Sequence, residues 1–365
     1  MVSATRRMAM TAAVVWGLCV APAAAQVRAA EAERPVDSGA EEQPAPGPAL
    51  ARWLEVTGAQ VAVRYRFVET SDGVTTSDSV QSQPQFKARL KFDPRGRYAL
   101  HAAVGSGGSF TSGWNNTGLG LGDYAGDLAV KHFYVEAAPA GGLTLQVGSL
   151  PFARGLSTEV TTYDNDAYFV GERLTLKRRV TIGLDEFTVT TGHLGDLKTP
   201  NAFRRLDRLD EHNYWQVLGV RRLHARLALS ADLSRVAGVQ TWRQGVVLGT
   251  AGVLPVDSVR VELYERRGDT ADEGFAVTAE RKLTKALSVA GGYANVDRGY
   301  GGLNADRFNT GARVFVSGSY GLPAGLKAQW FVARGVFTDH ATSNATRVDA
   351  ILVWDLKQAF DGKSR

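Results

Sequence analysis

Cysteine is almost missing from this 365-residue chain, and the single one, Cys19, lies in an apolar leader. Gly17-Leu18 does not supply the small residues that a lipoprotein signal places before its cysteine. Once the leader is removed the chain has no thiol and can form no disulfide. Methionine is equally scarce, and Met1, Met8 and Met10 all leave with the same segment. Beyond the leader no run of 18 apolar residues occurs, so membrane-spanning helices are excluded. No helical 3.6-residue apolar pattern lasts three turns. The six histidines (His101, His132, His193, His212, His224, His340) contain no H-x-x-x-H pair. There is no G-x-S-x-G and no Walker A run either, so zinc, serine-hydrolase and nucleotide signatures are all missing. No catalytic residue, metal or cofactor is expected.

What is present begins with an address. Arg6 and Arg7 precede the apolar run Met8–Ala24, and Ala23-Ala24-Ala25 ends it. This is the charged region, apolar region and A-x-A site of an export signal, residues 1–25, with Gln26 as the expected mature start. Residues 26–50 are rich in Ala, Glu and Pro and hold two Arg against five acids. They cannot bury enough apolar surface to offset their ordering entropy and read as a disordered periplasmic linker. The chain carries +5 overall, and region 51–365 alone carries +6. Its basic residues alternate along strands instead of gathering with aromatics on one surface, so no nucleic-acid partner is expected.

Region 51–365 shows no second linker and is dominated by two-residue alternation. In Gln85–Val104, Phe86, Ala88, Leu90 and Phe92 alternate with Lys87, Arg89 and Lys91. After Asp93-Pro94-Arg95-Gly96 the pattern resumes with Tyr98, Leu100, Ala102 and Val104. Side chains of a strand point to opposite faces in turn, so this is a hairpin, apolar on one side and basic on the other. The same reading gives about sixteen strands: 56–68, 84–93, 97–106, 127–138, 143–150, 172–179, 184–194, 213–220, 224–235, 239–249, 256–266, 274–282, 286–296, 308–320, 325–337 and 346–356. Odd-to-even connections (69–83, 107–126, 151–171, 195–212, 297–307, 338–345) are mostly long and even-to-odd ones mostly tight. Behind an export signal, this sorting specifies an all-β fold: a transmembrane antiparallel up-and-down β-barrel in the bacterial outer membrane, lipid outside and water inside. The period of the last strand runs on from Trp354 and Leu356 to Gln358 and Phe360, an aromatic end similar to that of outer-membrane proteins, although five residues follow.

On this phase Arg64, Arg66, Lys87, Arg89, Lys91, Arg226, Arg260 and Lys327 line the pore. Turning a Lys or Arg to lipid at mid-depth costs roughly 2–4 kcal/mol, so the assignment could not be inverted. Rings of Arg or Lys attract anions, which predicts weak anion preference. The third long loop, 151–171, is the candidate constriction, with acids Glu159, Asp164 and Asp166. The run Asp164-Asn165-Asp166 lacks the spacing of a calcium loop, so no metal is expected there.

Leu143–Gly155, LTLQVGSLPFARG, resembles the strand and loop start of Gram-negative porins, where a strand ending in Gly meets Pro-Phe. Glu172-Arg173 is similar to the phosphate-selective type. The resemblance implies passive diffusion of small hydrophilic or anionic solutes, contact with outer-membrane lipid, and a homotrimer as one assembly. Other readings stay open: a non-conducting structural, adhesive or ligand-binding barrel, an envelope hydrolase on the same scaffold, and a soluble secreted β protein.

Overall fold

The computed structural model describes residues 52–109, 112–158, 161–162, 166–177, 183–195, 199–236, 238–268, 272–296, 311–336 and 345–360. The export signal with Cys19, the 26–50 linker, and the loop acids Glu159 and Asp164 lie outside the described residues.

Seventeen strand segments follow one another: β1 (Leu54–Glu69), β2 (Thr75–Lys91), β3 (Tyr98–Ser106), β4 (Asn115–Gly120), β5 (Leu128–Ala140), β6 (Leu143–Pro151), β7 (Tyr168–Leu176), β8 (Glu186–His193), β9 (Tyr214–His224), β10 (Leu227–Val236), β11 (Val239–Gly249), β12 (Ser258–Arg267), β13 (Asp272–Lys282), β14 (Leu287–Val296), β15 (Gly311–Gly321), β16 (Leu326–Gly335) and β17 (Thr346–Asp355). All pairings between them are antiparallel, and β17 closes on β1, with Val63 opposite Leu352 and Phe67 opposite Val348. β3 and β4 both pair with β2 and share one place in the wall. The fold is therefore the closed up-and-down barrel of sixteen wall positions that the alternation predicted.

The wall is apolar outside and polar inside. Val61, Val63 and Tyr65 are 38–45% exposed, while their neighbours Ala62, Arg64 and Arg66 are no more than 9% exposed. Phe86, Leu90, Val147, Val277, Val316 and Leu352 continue the exposed apolar belt. Conversely Arg243, Arg313, Gln216, Glu262 and Asp349 are almost fully buried. A water-soluble domain would bury the first set and expose the second. The order is reversed because hydrocarbon, not water, wets the outside of such a barrel. Trp53, Phe92, Tyr98, Tyr320 and Trp354 are all exposed and all lie at the strand ends nearest the short turns, as an interfacial aromatic girdle requires.

The short-turn rim contains the two-residue links at Gly141-Gly142 and Ala225-Arg226 and the tight turns 283–286 and 322–325. In the turn after β2, the Tyr98 N–H donates to the Asp93 carboxylate at 2.9 Å. That bond holds the Asp93 carboxyl below the usual carboxylate range. The opposite rim carries the longest connections, 152–167 and 194–213, but also the two-residue link between β10 and β11, while 177–185 and 250–257 on the first rim are not tight.

Four expectations change. The connection expected at 107–126 contains β4, which pairs with β2. β2 begins at Thr75 and not at 84, so the supposed loop 69–83 shrinks to 70–74. Its first half, Thr75–Gln85, has hardly any apolar residue on either face, and alternation cannot register there. Pro84, which has no N–H, lies level with the break between β3 and β4, where β2 lacks a neighbour on one side. β7 begins at Tyr168, four residues early, because Tyr168, Phe169 and Val170 are all fully buried and show no alternation. The last strand stops at Asp355, whose carboxylate accepts the Gln358 N–H at 3.0 Å and starts the one-turn helix α1 (Leu356–Phe360). The strand period therefore does not reach Phe360. Among the described residues no helix is long and apolar enough to cross a membrane.

Candidate functional site

The Pro151-Phe152 step turns the chain off β6 and into the barrel. Phe152 packs on Phe169 and Tyr214, with ring centroids 5.4 and 5.3 Å away, and these rings form an internal core with Leu150, Ala167, Leu194 and Ala202. Arg173, inward on β7, braces the turn. Its guanidinium donates to the Pro151 carbonyl and to Thr190 and sits over the Phe169 ring. Phe152→Ala removes the central ring of this core. It should cost about 3–5 kcal/mol, the usual range for a buried Phe. A lowered denaturation midpoint of the folded barrel in detergent checks this; an unchanged midpoint would mean that the turn is held by other contacts.

From Phe152 the loop runs along the inner wall. Gln216 donates to the Ala153 carbonyl at 3.0 Å, the Leu156 N–H donates to Ser230 Oγ at 3.1 Å, and Arg260 donates to the Leu156 carbonyl at 3.2 Å. Glu262, fully buried on β12, accepts the Thr158 N–H at 2.8 Å, the Thr158 hydroxyl at 2.6 Å and the Thr161 hydroxyl at 2.5 Å. Two glycines permit this close approach. Gly155 has φ +58, and a Cβ there would lie 2.8 Å from Leu218 Cδ1; a Cβ on Gly245 would lie 3.2 Å from that of Leu156. The described part of the loop therefore lies inside the barrel, touching β9, β10 and β12, and Asp166 at its far end lies against β2. There Gln83 donates to the Asp166 carboxylate at 3.3 Å.

Residues 107–109 and 112–114 form a second inward segment that interrupts the wall between β3 and β4. Lys131 Nζ holds it by donating to the carbonyls of Ser109 and Ser112, at 3.1 and 2.7 Å. It carries Trp114, whose ring faces the Arg64 guanidinium at 4.1 Å. The two inward segments meet where Gly113 lies against Asp166. Between them and the wall of β16, β17, β1 and β2 remains a polar cavity of about 680 Å³.

The eight expected basic residues divide into two groups. Arg64, Arg66, Lys87 and Lys327 line this cavity, and so does Asp166. The other four do not. Arg89 and Lys91 lie near the short-turn rim beside Glu136 at 3.6 Å and Glu55 at 3.0 Å. Arg226 sits in the turn between β9 and β10, beyond the strand that was expected to carry it. Arg260 supports the loop. The inward phase of Arg89, Lys91 and Arg260 follows from strand parity, but parity carries no information about depth or about a carboxylate on the adjacent strand, and it does not apply to Arg226 in its turn. Further up the wall, Asp349 joins Arg66 at 3.1 Å and Arg347 at 2.6 Å, and Asp232 joins Arg243 at 3.1 Å. Sequence reasoning missed Lys131 and Trp114, and it singled out Arg173 without placing it at the start of the loop. It also missed the run Gln81, Gln83 and Gln85, although its two-residue spacing is plain in QSQPQ. Among the described residues no cluster of His, Cys, Asp or Glu is arranged to hold a metal.

No protein-family model matches the sequence, and no curated protein matches it at a significant level. Solved structures do match. A multiply substituted porin of Rh. blastica superposes with a TM-score of 0.54 at 13% identity, covering 83% of this chain and 99% of that one. OmpF of Salmonella typhi, solved as a complex with daunomycin, gives a TM-score of 0.55 at 11% identity, covering 83% and 97%. The wall closes at sixteen positions and 83% of the chain superposes on theirs, so the chain has the fold of the porins.

Proposed function

We propose that the protein is an outer-membrane channel through which small hydrophilic solutes and ions diffuse passively, with weak preference for anions. The observation that carries this reading is the polar cavity beside the inward loop, enclosed by a wall whose outer face is apolar. Such a wall is stable only in lipid, and such a lumen only when filled with water. Four cations line the cavity against Asp166 and Asp355, a formal excess that favours anions without excluding cations. The loop acid Asp166 lies among these cations and supplies a local field in the lumen. No side chain is assigned a catalytic part. Export to the outer membrane by residues 1–25 and assembly as a homotrimer belong to the same proposal.

Recording from the folded protein in a planar bilayer tests it. Discrete conductance steps are expected, and their absence would reject the channel. In a salt gradient the reversal potential should take the sign of modest anion selectivity; cation selectivity would refute the charge assignment.

A further inference from the structure

The wall beside the cavity carries carboxamides, Gln60, Gln81, Gln83, Gln85 and Gln329, as well as its four cations. Following the register from β16 to β2, Gln329 lies level with Ile351, Arg64 and Gln81, and Lys327 with Val353, Ala62 and Gln83. One row further toward the short turns Gln60 faces Gln85, and Lys87 follows beside Gly58. Gln81 is engaged by Arg64 and Gln83 by Asp166. Among the described residues the carboxamides of Gln60, Gln85 and Gln329 and the ammonium groups of Lys87 and Lys327 have no hydrogen-bond or ion-pair partner.

A carboxamide both donates and accepts, which matches a hydroxyl. An ammonium only donates, and attracts a carboxylate or phosphate. Lys87 and Lys327 stand on strands three spacings apart, roughly 14 Å across the wall, and four residues apart in level, roughly 13 Å along the strands. They do not converge on one compact anion; they flank a floor of carboxamides. A bare phosphate would use neither the separation nor the floor. We propose that this arc of the lumen is a binding site for a sugar acid, a solute with a carboxylate on a chain or ring of hydroxyls. The carboxylate pairs with Lys87 or Lys327, and the hydroxyls exchange bonds with Gln60, Gln85 and Gln329. The inference rests on the channel reading and specifies the solute class for it.

Gluconate, sorbitol, hexanoate and inorganic phosphate, each added to the folded protein in a bilayer, separate the alternatives. Gluconate should reduce the ion current saturably, at concentrations where sorbitol (hydroxyls without charge) and hexanoate (charge without hydroxyls) do not. Joint Lys87→Gln and Lys327→Gln replacement should raise the half-blocking gluconate concentration at least about tenfold, the loss of a charge-assisted bond. Gln60→Leu with Gln85→Leu should weaken gluconate more than phosphate. Equal block by hexanoate, tighter block by phosphate, or block unchanged in the lysine variant would overturn the assignment. If no conductance is seen, the channel reading fails by itself; calorimetric titration of the folded protein with gluconate then decides the site, and absence of saturable heat rejects it.

Discussion

Replacing Glu262 by Ala should widen the channel and make it noisier. The carboxylate is fully buried and holds the inward loop by three bonds to Thr158 and Thr161. The two hydroxyls can turn to other acceptors, but the Thr158 N–H cannot, and leaving it without an acceptor costs about 1–3 kcal/mol. Gln216, Ser230 and Arg260 still hold the earlier part of the loop. The segment beyond Leu156 should therefore detach while the barrel stays closed. Larger single-channel conductance with more open-state noise is the expected result. Glu262→Gln keeps one acceptor oxygen and should fall between the two. Conductance and noise identical to the parent would show that the loop is positioned without Glu262.

Arginine placed on adjacent residues of β1 should have opposite consequences. Val63 is 45% exposed on the outer face and Ala62 1% exposed on the inner one, next to the cavity. Val63→Arg, near the middle of the strand, puts a guanidinium into hydrocarbon and should cost roughly 2–4 kcal/mol of stability in lipid. Ala62→Arg lets the same group reach the water of the lumen. It should leave stability nearly unchanged while moving the reversal potential further toward anion selectivity. Refolding titrations in lipid vesicles measure the first effect and bilayer recordings the second. If Ala62→Arg proved the more damaging, the two faces would have been assigned in the wrong sense.

The barrel was legible because its defining property is a period of two. β1, β5, β6, β11 and β12 fall within two residues of their expected ends, since Val61, Val63 and Tyr65, or Val259, Val261 and Leu263, alternate with polar neighbours. The reading failed where a strand is uniform across its faces: polar in Thr75–Gln85, apolar in Tyr168–Val170. It failed also at Phe360, where a carboxylate cap at Asp355 ends the strand and the composition does not. The site was half visible. Pro151-Phe152 located the loop start, and parity sent Arg64, Arg66, Lys87 and Lys327 inward. Parity could not show that Glu136 and Glu55 accompany Arg89 and Lys91. Nor could it show that Trp114 enters the lumen, because that depends on Lys131 holding an excursion of the wall from the neighbouring strand.

Alternate-residue thiol labelling tests the inside-out wall most directly. In a Cys19→Ser background, cysteines placed singly at positions 60 to 65 and reconstituted in vesicles should divide by parity. A small water-soluble methanethiosulfonate should modify positions 60, 62 and 64, which face the lumen, and leave positions 61, 63 and 65 protected by lipid. Modification of the odd set, with the even set protected, would contradict the account.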